Sequence, residues 1–247
     1  MQPRVVERAA ALIVGNEILS GKVAEANLVE LARTLRSLGV TLERVVMLPD
    51  TLPTLAPEIR TLSRSHDVVF TSGGVGPTHD DLTIAAVAAA FETNVVEDPT
   101  LRALILAAYR ERATDTHYRM ALVPNGAELA AGPDGTWPIA VMQNVWILPG
   151  VPEVFREKLL VVRSFLRGPA PFHSRAVFTR QEEPLIAPSL EEVVKNHPEV
   201  DIGSYPRWFE PSYKTKVTLD ARDPARVEAA LADLLALLPV ESIVRVE

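Results

Sequence analysis

Thr71-Ser72-Gly73-Gly74-Val75-Gly76-Pro77-Thr78-His79-Asp80-Asp81-Leu82-Thr83 joins two apolar runs of different character. The run before it, Val68-Val69-Phe70, reads as a buried strand reaching Thr71. The run after it, Ile84 to Phe91, is alanine-rich and reads as a helix over about 81–91. Three glycines in four positions let the chain turn sharply and let a ligand approach the backbone. The helix then offers free N–H groups and the positive end of its dipole, a natural phosphate site. Two adjacent aspartates suit a bare anion poorly. They suit a divalent cation held between protein and phosphate. The chain has 12 glycines against 20 prolines, so three of them within residues 73–76 form a real concentration.

The segments around this loop repeat a strand–helix pattern. Ala9 to Val14 reads as a first strand that ends at Gly15. Asn27 is placed to cap a helix whose Leu28, Leu31, Leu35 and Leu38 keep helical spacing, and Gly39 stops it. Leu42 to Leu48 reads as the second strand, ending at Pro49-Asp50. Thr54 to Ser65 is a helix with Leu55, Ile59 and Leu62 on one face. This alternation predicts a doubly wound α/β domain with a mostly parallel sheet. Beyond a helix at 100–113, Ala127 to Ala131 and Ile139 to Leu148 read as strands, and Pro152 opens a helix to about Leu166. Gly168-Pro169-Ala170-Pro171 reads as a linker. It predicts domains at 1–168 and 169–247, the second a small α+β module in the order βαββα.

In an open α/β sheet the ligand sits beyond the carboxyl ends of the strands. Those ends deliver Asn16 and Glu17, Asp50, the glycine loop, and Pro149-Gly150. Glu17, Asp50 and Asp81 are candidate metal ligands, with Mg²⁺, or Mn²⁺ or Co²⁺, as the ion. Asp50, Asp80 and Asp81 are the candidate catalytic carboxylates. Thr71, Ser72, Gly73, Gly74, Gly76, Pro77, Thr78, Asn16, Asn27 and Gly150 are the candidate binding residues. Each acid has a plainer reading. Thr78 and Asp81 fit a capping box, which leaves Asp80 and the glycines unexplained. Asp50 also fits a turn or a helix cap, and Glu17 a solvated loop. His79 reads as a loop side chain, and His117-Tyr118-Arg119 as surface packing or a substrate contact. Trp137, Trp146 and Trp208 read as core or interface residues.

Composition narrows the class. Of 247 residues 47% are hydrophobic and 23% charged, enough apolar material for a real core. The net charge of −7 argues against a nucleic-acid partner. The chain has no cysteine, which excludes disulfides and thiolate chemistry. No run approaches the roughly 18 apolar residues of a membrane span, and the first residues lack a signal-peptide core, so a cytoplasmic location is expected. The glycine loop is neither G-x-G-x-x-G nor a Walker A sequence, which removes nicotinamide and kinase-like readings.

The loop at 71–83, with Gly15-Asn16-Glu17-Ile18-Leu19-x-Gly21 and Leu148-Pro149-Gly150-Val151-Pro152-Glu153, resembles the MoaB/Mog molybdopterin-binding family in its CinA-like branch. Phe172-His173-Ser174, Ile186-Ala187-Pro188 and Gly203-Ser204-Tyr205-Pro206 are similar to the molybdopterin-binding-like part of eukaryotic FAD synthases. The resemblance implies a three-layer α/β/α form of that domain and metal-dependent chemistry at Asp81 and Asp50. It also implies a nucleotide or pterin ligand: hydrolysis of FAD or ADP-ribose, with molybdopterin binding or adenylylation and non-catalytic nucleotide binding as the alternatives. The CinA-type Asn-x-x-Gly-x-Ala-Pro-Gly stretch is replaced here by Pro133-Asp134-Gly135-Thr136-Trp137-Pro138. The amidase domain of CinA and the adenylyltransferase domain of FAD synthases have no counterpart in these residues, so neither activity is expected. Relatives self-associate, and Trp208-Phe209 beside Pro206 and Pro211 reads either as an apolar patch for a homo-oligomer or as core.

Overall fold

Strand β2 (Arg8–Val14), which follows the two-residue β1 (Arg4–Val5), is buried in all but its first residue. A run apolar on both faces belongs in the middle of a parallel sheet covered on both sides. The computed structural model describes residues 2–132 and 137–247, so four residues of the Pro133–Pro138 stretch lie outside the described residues. After β2 come the single-turn α1 (Asn16–Leu19), α2 (Asn27–Ser37), β3 (Thr41–Leu48), α3 (Leu52–Ser65), β4 (Val68–Ser72) and α4 (Thr83–Ala90). An excursion follows: β5 (Val95–Glu97), α5 (Pro99–Tyr109), the single-turn α6 (Asp115–Tyr118) and β6 (Leu122–Pro124). Then β7 (Glu128–Ala130), β8 (Ile139–Met142), β9 (Val145–Leu148), α7 (Pro152–Phe165) and β10 (Leu166–Arg167) complete a unit spanning Met1–Pro169.

The main sheet has the order β3-β2-β4-β9-β8-β7. Its first four strands are parallel, and β8 alone runs the other way, pairing antiparallel with both β9 and β7. Leu31, Leu35, Phe155 and Leu159 of α2 and α7 cover one face around Trp146. Leu55, Ile59 and Leu62 of α3, with Ala86 and Val87 of α4, cover the other. This is the three-layer α/β/α architecture. A satellite cluster under the excursion gathers Leu101, Ile105, Ala121 and Val123, with the Trp137 ring packed against it.

Four details differ from the sequence expectation. The apolar stretch Ile139 to Leu148 is a hairpin of two strands, because Gln143 takes a positive φ of 56° and turns the chain. Asn144 pins that turn, donating to the carbonyls of Ser63 and His66 at 2.9 Å each. The helix expected over 100–113 stops at Tyr109, where Arg110 takes φ 50°. The helix expected from residue 81 begins at Thr83.

The second unit, Ala170–Glu247, contains β11 (His173–Thr179), α8 (Glu183–Asn196), β12 (Asp201–Pro206), β13 (Thr215–Ala221), α9 (Pro224–Leu237) and β14 (Ile243–Val246). Strand β14 is the fourth difference: it extends the expected βαββα to βαββαβ. The sheet is antiparallel in the order β12-β13-β11-β14. Both helices pack on its Val177, Val217 and Leu219 face. Trp208 and Phe209 stand 83% and 101% exposed between β12 and β13, which overturns the core reading of that pair. Among the described residues no helix is long and apolar enough to cross a membrane.

Candidate functional site

The carboxyl ends of β2, β4 and β9 meet backbone to backbone. Gly73 turns at φ 103°, and a Cβ there would lie 2.2 Å from the Val14 carbonyl oxygen. Its N–H donates to the Leu148 carbonyl at 3.3 Å. Gly150 packs against the Gly73 Cα, where its own Cβ would sit at 3.1 Å. Only glycine permits such close approach in this conformation.

A buried polar layer fixes this junction. Asn27 does not cap α2; Ala26 holds the cap position, and Asn27 is the first helical residue. Its amide donates to the Ser72 hydroxyl at 3.0 Å and to the Gly150 carbonyl at 2.8 Å. Thr71 is fully buried, its hydroxyl 3.4 Å from the Leu148 N–H. The Thr83 hydroxyl donates to the Gly73 carbonyl at 2.7 Å, and the Thr83 N–H to that of Gly74 at 2.9 Å. Thr71, Ser72 and Asn27, expected among the binding residues, therefore lie beneath the loop and bond within the protein. Losing such a buried bond leaves an unpaired polar group, at a cost of about 1–3 kcal/mol.

Above this layer three of the acids each lie against a glycine. A Cβ on Gly15 would meet the Glu17 carboxylate at 2.5 Å, one on Gly74 the Asp50 carboxylate at 3.4 Å, and one on Gly76 the Asp81 carboxylate at 2.7 Å. Asp50 Oδ2 accepts the Asn16 N–H at 2.8 Å and so ties the first loop to the end of β3. Burial pushes the Asp50 carboxyl above its usual range against that hydrogen bond, and the negative charges of Glu17 and Asp80 push it further. Asp81 Oδ2 accepts both the N–H of Thr78, at 2.7 Å, and its hydroxyl. The capping-box pair is thus formed inside the loop, ahead of α4, with no side-chain cap on that helix. His79 is 95% exposed in its side chain and 3.9 Å from Asp80. His117 is taken up locally, its Nδ1 accepting the Thr114 N–H at 3.2 Å.

Arg119 is the residue that sequence spacing undervalued. It reaches from the excursion and donates to the Pro77 carbonyl at 3.2 Å, which brings a guanidinium to the glycine loop. Nothing in the sequence links positions 119 and 77.

Among the described residues no group of three or more His, Asp or Glu side chains forms a ready metal cage. The donor set still fits Mg²⁺, which binds through one or two carboxylates and completes its shell with waters and substrate phosphates. Asp50, raised by burial and by like charge, and Glu17 are oxygen donors of that kind.

Residues 10–167 match the family described as probable molybdopterin binding domain, and residues 171–247 match the middle domain of FAD synthase. A protein of Archaeoglobus fulgidus is 33% identical over 229 residues, covering 91% of this chain and 95% of its own length. A probable FAD synthase of Caenorhabditis elegans is 28% identical, covering 96% of this chain; this chain spans 51% of that protein. The crystal structure of CinA from Thermoplasma acidophilum superimposes with a TM-score of 0.56 at 31% identity, over 62% of this chain and 94% of that one. With its first unit matched almost end to end, this chain belongs to the molybdopterin-binding-domain family, and it carries a FAD-synthase-type middle domain behind it.

Proposed function

We propose that the glycine loop and its carboxylates form a metal-dependent pyrophosphatase site for an ADP-containing dinucleotide, FAD or ADP-ribose. One observation carries this: the Asp50 carboxylate lies against Gly74 of the glycine loop, within reach of the charges of Glu17 and Asp80. Acids brought together at such an edge match a ligand that arrives with a cation. The loop amides and the amino end of α4 would face the pyrophosphate oxygens. Arg119 sits at the loop to offset phosphate charge. Asp50 and Asp81 would hold Mg²⁺, Mn²⁺ or Co²⁺, with Glu17 or Asp80 beside them. A bound ion of this type polarises phosphorus–oxygen bonds and lowers the pKa of water. Asp80, exposed like Glu17, would orient the attacking water.

The test is release of AMP from FAD, ADP-ribose, NAD and ATP with each metal in turn. Asp81→Ala should cut turnover by about 100-fold or more while the protein stays folded. Equal turnover in that variant sinks the proposal, and tight binding without turnover makes the site a nucleotide-binding module. The family match over residues 10–167 favours one second reading, a pterin ligand with adenylylation from ATP. An adenylylated pterin as product, in place of AMP from FAD, decides for it.

A further inference from the structure

We propose that Lys158 is a positioning residue for this site: its buried amine holds the Trp137 carbonyl and so fixes the excursion, residues 99–121, that grips the glycine loop at Pro77. Lys158 lies on α7 and is 5% exposed. Its Nζ donates to the Trp137 carbonyl oxygen. Strand β8 runs antiparallel to β9 with Ala140 opposite Ile147, so Ile139 lies beside Leu148 and Trp137 lies further out at the carboxyl edge. The lysine thus reaches from the α2–α7 side of the sheet to the edge that carries the site. The Trp137 ring packs on the other side, against the cluster of Leu101, Ile105, Ala121 and Val123. Two residues before Ala121, Arg119 donates to the Pro77 carbonyl at 3.2 Å. The chain of contacts runs from helix to amine, carbonyl, ring, excursion and loop without a gap.

A lysine is an odd choice for a buried helix position unless its charge is used. Burial brings the amine down from 10.5 to about 8, and Glu157 on the same helix opposes the shift. Among the described residues no charged group from the sheet or from α2 acts on it. Below pH 8 the bond to Trp137 is charge-assisted; above it the neutral amine donates more weakly. The grip on the loop should therefore relax as the pH rises through 8.

The experiment is amide hydrogen exchange on the ligand-free protein, corrected for intrinsic rate, at pH 7 and pH 9. In wild type, segments 74–83 and 99–121 should exchange several-fold faster at pH 9. Lys158→Met should show the fast pattern at both pH values, and Lys158→Arg, charged throughout, the slow one. Lys158→Met as protected as wild type, or an unchanged wild-type pattern at pH 9, overturns the proposal. If Lys158→Met fails to fold, Lys158→Arg decides: loosening with pH as wild type does overturns it. The effect on ligand rests on the proposed nucleotide site. There, the Kd for ADP-ribose should rise about fivefold in Lys158→Met, mainly at pH 7. Wild type that binds no ADP-ribose removes that ligand, and the exchange result still decides the role of Lys158.

Discussion

The two ends of the main sheet treat an aspartate in opposite ways. At the amino end Asp67, just ahead of β4, accepts the N–H groups of Glu7 and Arg8 at 2.9 and 2.8 Å. These bonds hold its carboxyl below the usual range, and Arg8 and His66 add to the effect. At the carboxyl end Asp50, just past β3, accepts the N–H of Asn16, yet burial and the charges of Glu17 and Asp80 hold its carboxyl above that range. Asp67 is a joint between strands. Asp50 is a charge that the fold holds at a disadvantage, which agrees with the cation proposed for this edge.

The largest test of this contrast concerns the rigidity of the carboxyl end. Gly73→Ala places a methyl 2.2 Å from the Val14 carbonyl in a backbone with φ 103°. Overpacking and a strained φ together should cost about 3 kcal/mol or more, read as a lower melting temperature by calorimetry. Gly76→Ala, whose methyl would first meet the Asp81 side chain rather than backbone and at no positive φ, should cost less. Equal melting of Gly73→Ala and wild type would show that the carboxyl end is soft.

The next effect lies at the amino end. Asp67→Asn removes the charge from two backbone hydrogen bonds and should destabilise by about 1 kcal/mol after solvent screening. The folded carboxyl titrates below its unfolded value near 3.8. Its contribution is therefore present above that value and is lost as pH falls through the folded one. Urea titrations of the two proteins should differ at pH 7 and converge in strong acid. A constant difference across that range would deny Asp67 its role as a charged joint.

The contrast between the two ends was only partly legible in the sequence. Helical spacing marked Leu31 and Leu35, and Leu55, Ile59 and Leu62, and these are the residues buried against the sheet. The glycine cluster and the acids at strand ends could be read because their chemistry is local. Asn27 could not, since a polar residue at a helix start reads as a cap until Ser72 and Gly150 arrive from distant positions. Arg119 and Lys158 were hidden for the same reason, their partners lying 42 and 21 residues away. Strand β14 has four residues and owes its identity to its pairing with β11. Asp67 gave no signal at all, because backbone N–H groups make its partners.

The smallest effect is the sharpest. Asp50→Asn keeps an oxygen to accept the Asn16 N–H and removes the charge that Glu17 and Asp80 oppose. The folded carboxyl of Asp50 titrates above 3.8, so its ionisation lowers stability as pH rises through the folded value. In chelator at pH 7 the variant should be more stable than wild type, by less than about 1 kcal/mol for so screened a group. The gain should vanish below the unfolded value, where both proteins carry a neutral side chain. Mg²⁺ should then raise the melting temperature of wild type and leave that of Asp50→Asn almost unmoved, since an ion that binds only the folded state stabilises it by mass action. A variant less stable than wild type in chelator would make Asp50 a joint like Asp67. The two ends of the sheet would then differ only in their glycines.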